Sequence, residues 1–376
     1  MSCFQTPEGK PVNITRIGSV AAIALAATIA LSSCATNESA PTPSGSAAPV
    51  SKLSGTLNGI GSSAQGAAET AWIAGFQTAN PQVTVNYDPQ GSGAGRTNFI
   101  SGAAAFAGSD AALKDSELAT PSPLCKAGTK AIDLPVYISP IAIAYNVAGL
   151  KDLKLDAATI AGIFKGAITK WDDPAIKSLN SGATLPSAAI VVVHRSDDSG
   201  TTQNFTDYLA ANAPTVWDKP AAQTYPYAIG DAAKGTSGVA DAIKGAANSI
   251  TYIDESGATG LSIAQLKVGS AFVKINAAGA ADVVAKSSTV TGRGANDLAI
   301  AIDRKNTDKD AWPLVLVSYM IVCNTYDDSS KGELVKAYAH YAASSEGQVA
   351  AQSQAGSAPL SKELAAKVAK AIATIK

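Results

Sequence analysis

The sequence predicts an α/β fold of two lobes with a cleft between them. Three observations carry this. Short apolar runs of strand length alternate with Ala-rich stretches of helical periodicity, which implies largely parallel sheets flanked by helices. Two apolar runs, Ile132–Asn146 and Trp312–Cys323, are much longer than the others and read as crossings between lobes. The body is also large: removing a leader of 33 residues from 376 leaves 343, more suited to two cores than one. On this plan residues 52–145 with 313–376 form the first lobe and residues 146–312 the second.

The leader is read from the first residues. Met1–Arg16 is polar and carries Lys10 and Arg16, and the uncharged apolar run Ile17–Leu31 has the length of a signal-peptide core. It falls short of the roughly 20 residues needed to span a bilayer. Leu31, Ser32, Ser33 and Cys34 follow the lipobox pattern of bacterial lipoproteins, where the cysteine is lipidated and becomes the first residue. A plain signal peptide with an incidental cysteine is the alternative. Residues 34–51 are rich in Ala, Ser, Pro and Thr and read as a flexible tether. No later run of 18 apolar residues occurs, so the body is expected to be soluble. Charge is balanced at 29 basic and 30 acidic residues, and at 27 and 29 without Glu8, Lys10 and Arg16. With no basic face, nucleic acid is not an expected partner. Cys3 leaves with the leader and Cys34 takes the lipid. Cys125 and Cys323 remain as an even pair in an oxidising compartment, where a disulfide and two separate buried thiols are both open.

Taken in order, the elements repeat one arrangement. Leu53–Leu57 reads as a strand leading to Ser62 and Ser63, then to a helix carrying Ala68, Trp72 and Phe76 at intervals of four. Pro81 ends that helix, and Val83–Tyr87 alternates like a strand. Gly91–Gly95, with Ser92 inside it, reads as a Gly-rich turn before the next helix. Ala104–Gly108 is strand-like and runs into Ser109 and Asp110. Further on, the strand Ile190–Val193 meets His194–Thr202, and Phe205 and Leu209 then share one side of a helix. Small polar residues thus sit at four strand-to-helix junctions, where free backbone N–H groups and the positive helix end point outward. At the last junction Arg195 supplies a forked cation, Ser199 and Thr201 hydroxyls, and Gly200 close backbone approach. Those are the parts of an oxyanion socket; an ordinary N-cap beside a surface arginine is the alternative. Four junctions of one chemical kind point to convergence on one anion.

Enzyme readings find little support. A phosphohydrolase using Ser199 or Asp110 as nucleophile would need partners, and the only histidines, His194 and His340, lie far apart in sequence. No HExxH, GxSxG or P-loop pattern occurs. No metal site and no cofactor are implied, and His194, next to a strand, reads as a packed or lining residue.

Together these motifs resemble a family. Arg195-Ser196-Asp197-Asp198-Ser199-Gly200-Thr201 and Gly162–Trp171 with Asp172-Asp173-Pro174 are its most specific pieces. Ala107–Ala111 and Gly59–Ser63 add support, and the likeness covers residues 53–376. The chain resembles the phosphate-binding lipoproteins of phosphate-specific ABC transporters. The resemblance implies a periplasmic-binding-protein fold of type II kind, its cleft between lobes joined by strand crossings. It implies inorganic phosphate as ligand, the permease and ATPase subunits of a phosphate transporter as partners, and a monomer anchored outside the membrane by lipid. Sulfate or molybdate is the alternative anion. By the same resemblance Ser63 stands at a phosphate-binding Thr position, supported by Ser62, and Ala64 offers its amide where the family has Phe. Ser92 matches a serine ligand, with Ala94 as the alternative placement. Asp110 matches the carboxylate that accepts the ligand's proton. Arg195, Ser199, Gly200 and Thr201 match the clamp, and Asp197 the residue that orients the arginine. Asp198 replaces a usual Gly and adds a negative charge near the site. Trp171 marks the family but reads as a packing anchor in a loop.

Overall fold

The structure, a computed structural model, describes residues 52–376. The expected leader (1–33), the lipidated Cys34 and the tether (34–51) lie outside the described residues. Nine strands form one mixed sheet: β1 Gly55–Gly61, β2 Val83–Asp88, β3 Phe106–Ser109, β4 Ala131–Asn146, β5 Val191–Arg195, β6 Asp231–Ala233, β7 Ser249–Asp254, β8 Ser262–Ile263 and β9 Val315–Cys323. Their order is β2-β1-β3-β9-β4-β7-β5-β6, with β8 beside β4. Helices that matter below are α1 Gly66–Ala79, α2 Ser92–Ile100, α3 Gly200–Asn212 and α4 Gly235–Gly245.

The two wings of the sheet, β2-β1-β3 and β7-β5-β6, are parallel. The centre is antiparallel: β9 runs against β3 and β4, and β4 against β7. The expectation of largely parallel sheets therefore holds only in the wings. Strand–helix–strand units impose parallel pairing there, whereas the long central strands connect the wings directly.

β4 joins the two halves. Ala131–Pro140 pairs with β9 in one half, and Ile141–Asn146 pairs with β7 in the other. All but its two end residues are buried, which is why it reads as an unbroken apolar run rather than an alternating one. The second long run is not itself a shared strand. β9 pairs only within the first half, and the chain crosses just before it, where the Ile141 amide donates to Leu314 O (2.8 Å) and Trp312 Nε1 to Ile141 O (3.2 Å).

One stretch departs from the expected division. Residues 293–300, assigned by the sequence to the second lobe, are bonded to the first. Arg293 Nη1 pairs with Asp133 Oδ2 (2.6 Å), the Leu298 amide donates to Asp133 O (3.0 Å), and the Ile300 amide donates to Tyr319 Oη (3.0 Å). Asp133 lies fully buried at the start of β4, so it needs this cation, and the pairing draws the segment across. Nothing local in the sequence signals that partner.

The Gly-rich stretch 91–95 is also not a turn, because α2 already begins at Ser92. Gly95 sits there for contact: a Cβ on it would lie 2.7 Å from Gly61 Cα, so its absence lets α2 rest on β1. Trp171 is fully buried with Nε1 donating to Asn248 O (3.0 Å), a packing role as expected.

Cys125 and Cys323 are joined in a disulfide across 198 residues, with Cα atoms 5.2 Å apart, so the two-thiol alternative is set aside. A bridge closing so long a loop contributes on the order of 2–5 kcal/mol. Reduction, or a Cys125→Ala/Cys323→Ala double variant, is expected to lower the melting temperature by several degrees; unchanged melting would show the bridge to be structurally idle. Among the described residues no helix is long and apolar enough to cross a membrane.

Candidate functional site

The four polar junctions meet where the two halves face each other. Three arise from the first half, at the ends of β1, β2 and β3, and one from the second, between β5 and α3. Each lies where a strand ends: Ser199 caps α3 and Ser62 accepts two amides in the turn before α1, whereas Ser92 is already the first residue of α2 and Asp110 is followed by a loop rather than a helix start.

Asp110 is the centre. It is 4% exposed, and its carboxylate accepts from the Ser62 hydroxyl and, at 3.2 Å, from Thr201 Oγ1 of the other half. Its amide donates to Ser92 Oγ (3.0 Å), and its carbonyl accepts from Asn204 Nδ2 (2.7 Å). Burial pushes this carboxyl above the usual carboxylate range, against the lowering effects of contacts with Ser62 and Ser318, the Arg195 charge and Thr201. Ser62 also accepts from the amides of Ala64 (3.1 Å) and Gln65 (3.2 Å), so it fastens the turn that leads into α1 while donating to Asp110.

Arg195 ends β5, 4% exposed. Its Nε donates to Asp197 Oδ1 (2.7 Å) and its Nη2 to Asp197 Oδ2, a two-point pairing that holds the fork in one plane. Nη1 makes no hydrogen bond among the described residues. Burial works to raise the Asp197 carboxyl, but the bonds and charge of Arg195 and the Gly235 amide outweigh it and hold Asp197 below its ordinary value. Ser199 is the N-cap of α3, its Oγ accepting from the Thr202 amide (3.1 Å). Gly200 lies directly against the first half: a Cβ on it would be 2.5 Å from Ser92 Oγ and 2.6 Å from Asp110 Cβ.

All ten predicted residues, Ser62, Ser63, Ala64, Ser92, Asp110, Arg195, Asp197, Ser199, Gly200 and Thr201, lie along this seam. Ser63 reaches across to the second half, where it shares a hydrogen bond with Thr236 Oγ1 (3.1 Å) and accepts from the Thr236 amide (3.0 Å). Asp198, expected to press its charge on the site, is exposed; its Oδ1 accepts from Thr224 Oγ1 (2.7 Å) and its carbonyl from the Gly93 amide (3.0 Å). His194 stacks on Tyr225 with ring centroids 4.0 Å apart and places Nδ1 2.9 Å from Arg195 O, so it is packed rather than poised as a base.

Sequence reasoning missed a fifth junction. Gly235 and Thr236 start α4, and the Gly235 amide donates to Asp197 Oδ1 (3.1 Å). The preceding strand β6 has only three residues and none buried, so no apolar run announced it. The signal available was the small-residue cluster Gly235-Thr236-Ser237 before the apolar Val239 and Ile243. Further bonds hold the seam shut: Arg96 Nη2 to Gln223 Oε1 (2.7 Å) and Lys234 Nζ to Gln90 Oε1. Among the described residues no group of three or more His, Cys, Asp or Glu could hold a metal ion. What the arrangement offers chemically is a buried arginine, hydroxyls and helix-end amides around one carboxylate: donors for an anion, and one acceptor for a proton that the anion carries.

Comparison with known proteins agrees in kind. Residues 46–346 match the family model described as PBP superfamily domain. The phosphate-binding protein PstS 3 of Mycobacterium leprae is 39% identical over 329 residues, covering 85% of this chain and 88% of that protein. The phosphate-binding protein PstS 2 of Mycobacterium tuberculosis is 36% identical over 374 residues, covering 97% and 100%. Among solved structures, the high-affinity periplasmic phosphate-binding protein PfluDING with bound phosphate superposes with a TM-score of 0.67 at 23% identity, covering 84% of this chain and 93% of that one. A phosphate-binding protein from Stenotrophomonas maltophilia gives 0.66 at 20%, with 84% and 93% covered.

Proposed function

The chain belongs to the PstS phosphate-binding proteins of the PBP superfamily, and from that premise we propose that its seam captures inorganic phosphate for a phosphate ABC transporter. The observation that carries the reading is the pairing at the centre: a buried arginine and a buried carboxylate on opposite sides of one cleft, among helix starts. A dianion leaving water needs nearly a full set of donors. Ser63, Ala64, Ser92, Ser199, Gly200 and Thr201 supply them with Arg195, each hydrogen bond to charge contributing roughly 1.5–3 kcal/mol. Asp110 accepts a hydrogen bond from the O–H that phosphate still carries near neutral pH. Sulfate has no such proton and would set its charge against a carboxylate.

The halves open and close about β4 near Pro140–Ile141 and about the crossing at Trp312–Leu314, with phosphate held only when the seam shuts. The protein works as a monomer outside the cell membrane, tethered by lipid on Cys34, and presents its closed form to the permease. Binding rather than hydrolysis is supported by the Ser199 hydroxyl, which caps a helix, and by the packed His194.

Isothermal titration of phosphate into ligand-stripped protein, with and without excess sulfate, tests this. One-to-one binding that ignores sulfate is expected; absence of phosphate binding, or equal competition by sulfate, would overturn it. Gly200→Ala tests closure. Its Cβ would meet Ser92 and Asp110 below 3 Å, and such overpacking costs about 1–3 kcal/mol, or roughly 5- to 150-fold in affinity. Unchanged affinity in this variant would mean that phosphate is bound without the seam closing at Gly200.

A further inference from the structure

Arg304 is buried where α3 of the second half meets the start of β9 in the first. Its Nε donates to Asp207 Oδ2 (2.8 Å) and its Nη2 to Asn204 Oδ1, both on α3. Its Nη1 donates to the carbonyls of Val315 (2.6 Å) and Pro313 (3.2 Å), at the chain crossing. Asn212, the last residue of α3, donates from Nδ2 to the Arg304 carbonyl (2.9 Å). Asn204 is buried as well. Its Nδ2 donates to Gly200 O (2.9 Å) and, across the seam, to Asp110 O (2.7 Å). The helix whose first turn carries Ser199, Gly200 and Thr201 is thus fastened to the crossing by one side chain and to Asp110 by another.

A guanidinium taken out of water needs its N–H groups met. The Asp207 side chain is half-exposed, so the neutral acceptors on Asn204, Pro313 and Val315 complete the set. The consequence falls on Asn204. An asparagine side chain has an acceptor at one end and two N–H donors at the other, whereas arginine has donors only. Arg304 can therefore meet nothing but Oδ1, and the N–H groups must face the opposite way, toward the Gly200 and Asp110 carbonyls. All three neighbours require this one orientation. The bond across the seam is made to the backbone of Asp110, so it draws the halves together and leaves the carboxylate oxygens uninvolved.

We propose that Asn204 is a latch that closes the second half onto the Asp110 backbone, and that Arg304, held on the Pro313 and Val315 carbonyls at the crossing, sets the latch by fixing the orientation of the amide. Both are positioning residues, and neither is among the groups proposed to meet the anion. The inference rests on the phosphate-binding reading for its affinity readout. When the halves part, Asn204 leaves Asp110 and water takes up both groups. On closing, the bond forms again between partners already aimed at each other. The latch acts after the encounter with phosphate and sets how long the ligand stays.

The test is a double-variant cycle of phosphate binding by wild type, Asn204→Leu, Arg304→Met and the pair, with association and dissociation rates measured separately. Asn204→Leu keeps a side chain of similar shape and removes both N–H groups. It is expected to weaken binding roughly 2- to 12-fold, the worth of one hydrogen bond, almost wholly as faster dissociation. Arg304→Met frees the amide to turn and should weaken binding in the wild-type background, yet alter it by less than about twofold once Asn204 is Leu. An arginine that served stability alone would act equally in both backgrounds, and that result overturns its role. An unchanged dissociation rate in Asn204→Leu overturns the latch. Should Arg304→Met fail to fold, Arg304→Lys, which keeps the charge without the fork, takes its place in the cycle.

Spin labels on the exposed positions Thr70→Cys of α1 and Asp241→Cys of α4 follow the halves independently of affinity. Without phosphate and with phosphate below saturation, Asn204→Leu should populate the longer distance more than wild type does. Identical distributions overturn the latch. Wild type that binds no phosphate, with labels that still move apart in Asn204→Leu, would refute the receptor reading alone. Tight phosphate binding that neither variant changes would refute the latch alone.

Discussion

Arg195→Ala is expected to weaken phosphate binding roughly 30- to 5,000-fold, the equivalent of about 2–5 kcal/mol for truncating a buried, hydrogen-bonded ion pair. The size follows from position. Arg195 is 4% exposed, so the anion it meets has left water and has no bulk solvent to replace the lost cation. Its geometry is set by Asp197, which takes Nε and Nη2 and is itself fixed by the Gly235 amide. Arg195→Lys keeps a charge but not the planar fork, so it should fall between wild type and Ala. Asp197→Asn should cost less than Arg195→Ala, because the guanidinium would remain but lose its fixed plane. Titration calorimetry on protein whose melting is unchanged would measure all three. Binding by Arg195→Ala within twofold of wild type would remove the arginine from the site.

Asp110→Asn is expected to act on selectivity more than on fold. An ionised carboxylate only accepts hydrogen bonds, so it favours an anion that brings a proton and repels one that does not. Like-charge contact across a buried interface costs several kcal/mol, so replacing the carboxylate by an amide should shift the phosphate-to-sulfate preference by roughly 100-fold or more. Part comes from weaker phosphate binding and part from sulfate gaining a donor. The wild type should show the same change with pH. Burial holds the Asp110 carboxyl above its ordinary value, so Asp110 takes up its proton at a higher pH than an exposed aspartate. As pH falls toward that value the group becomes a donor, and sulfate binding should emerge in the wild type but stay flat in Asp110→Asn. Competition titrations across acid pH would read it; a selectivity indifferent to both mutation and pH would place discrimination elsewhere in the cleft.

The polar residues that meet on the seam were largely legible in the sequence because they are written in local signals. Ser62, Ser92 and Ser199 each stand between an apolar run and a helix, and Asp110 just after a strand, so such residues are read from a window of a dozen positions. The fifth junction at Gly235 escaped because its strand is short and exposed.

What the sequence determined by itself was the alternation of strands and helices, the buried character of β4, and the polar helix starts, since periodicity and capping act over one or two turns of chain. What the tertiary structure alone decided was which distant partners meet. It placed Thr201 on Asp110, joined Cys125 to Cys323, drew residues 293–300 to the first half through Asp133, and turned Asp198 outward to Thr224. Those pairings depend on the register of strands such as β4 and β9 and on the burial of charges that must find counterparts. Both are properties of the packed chain as a whole and leave no mark within a short window of residues.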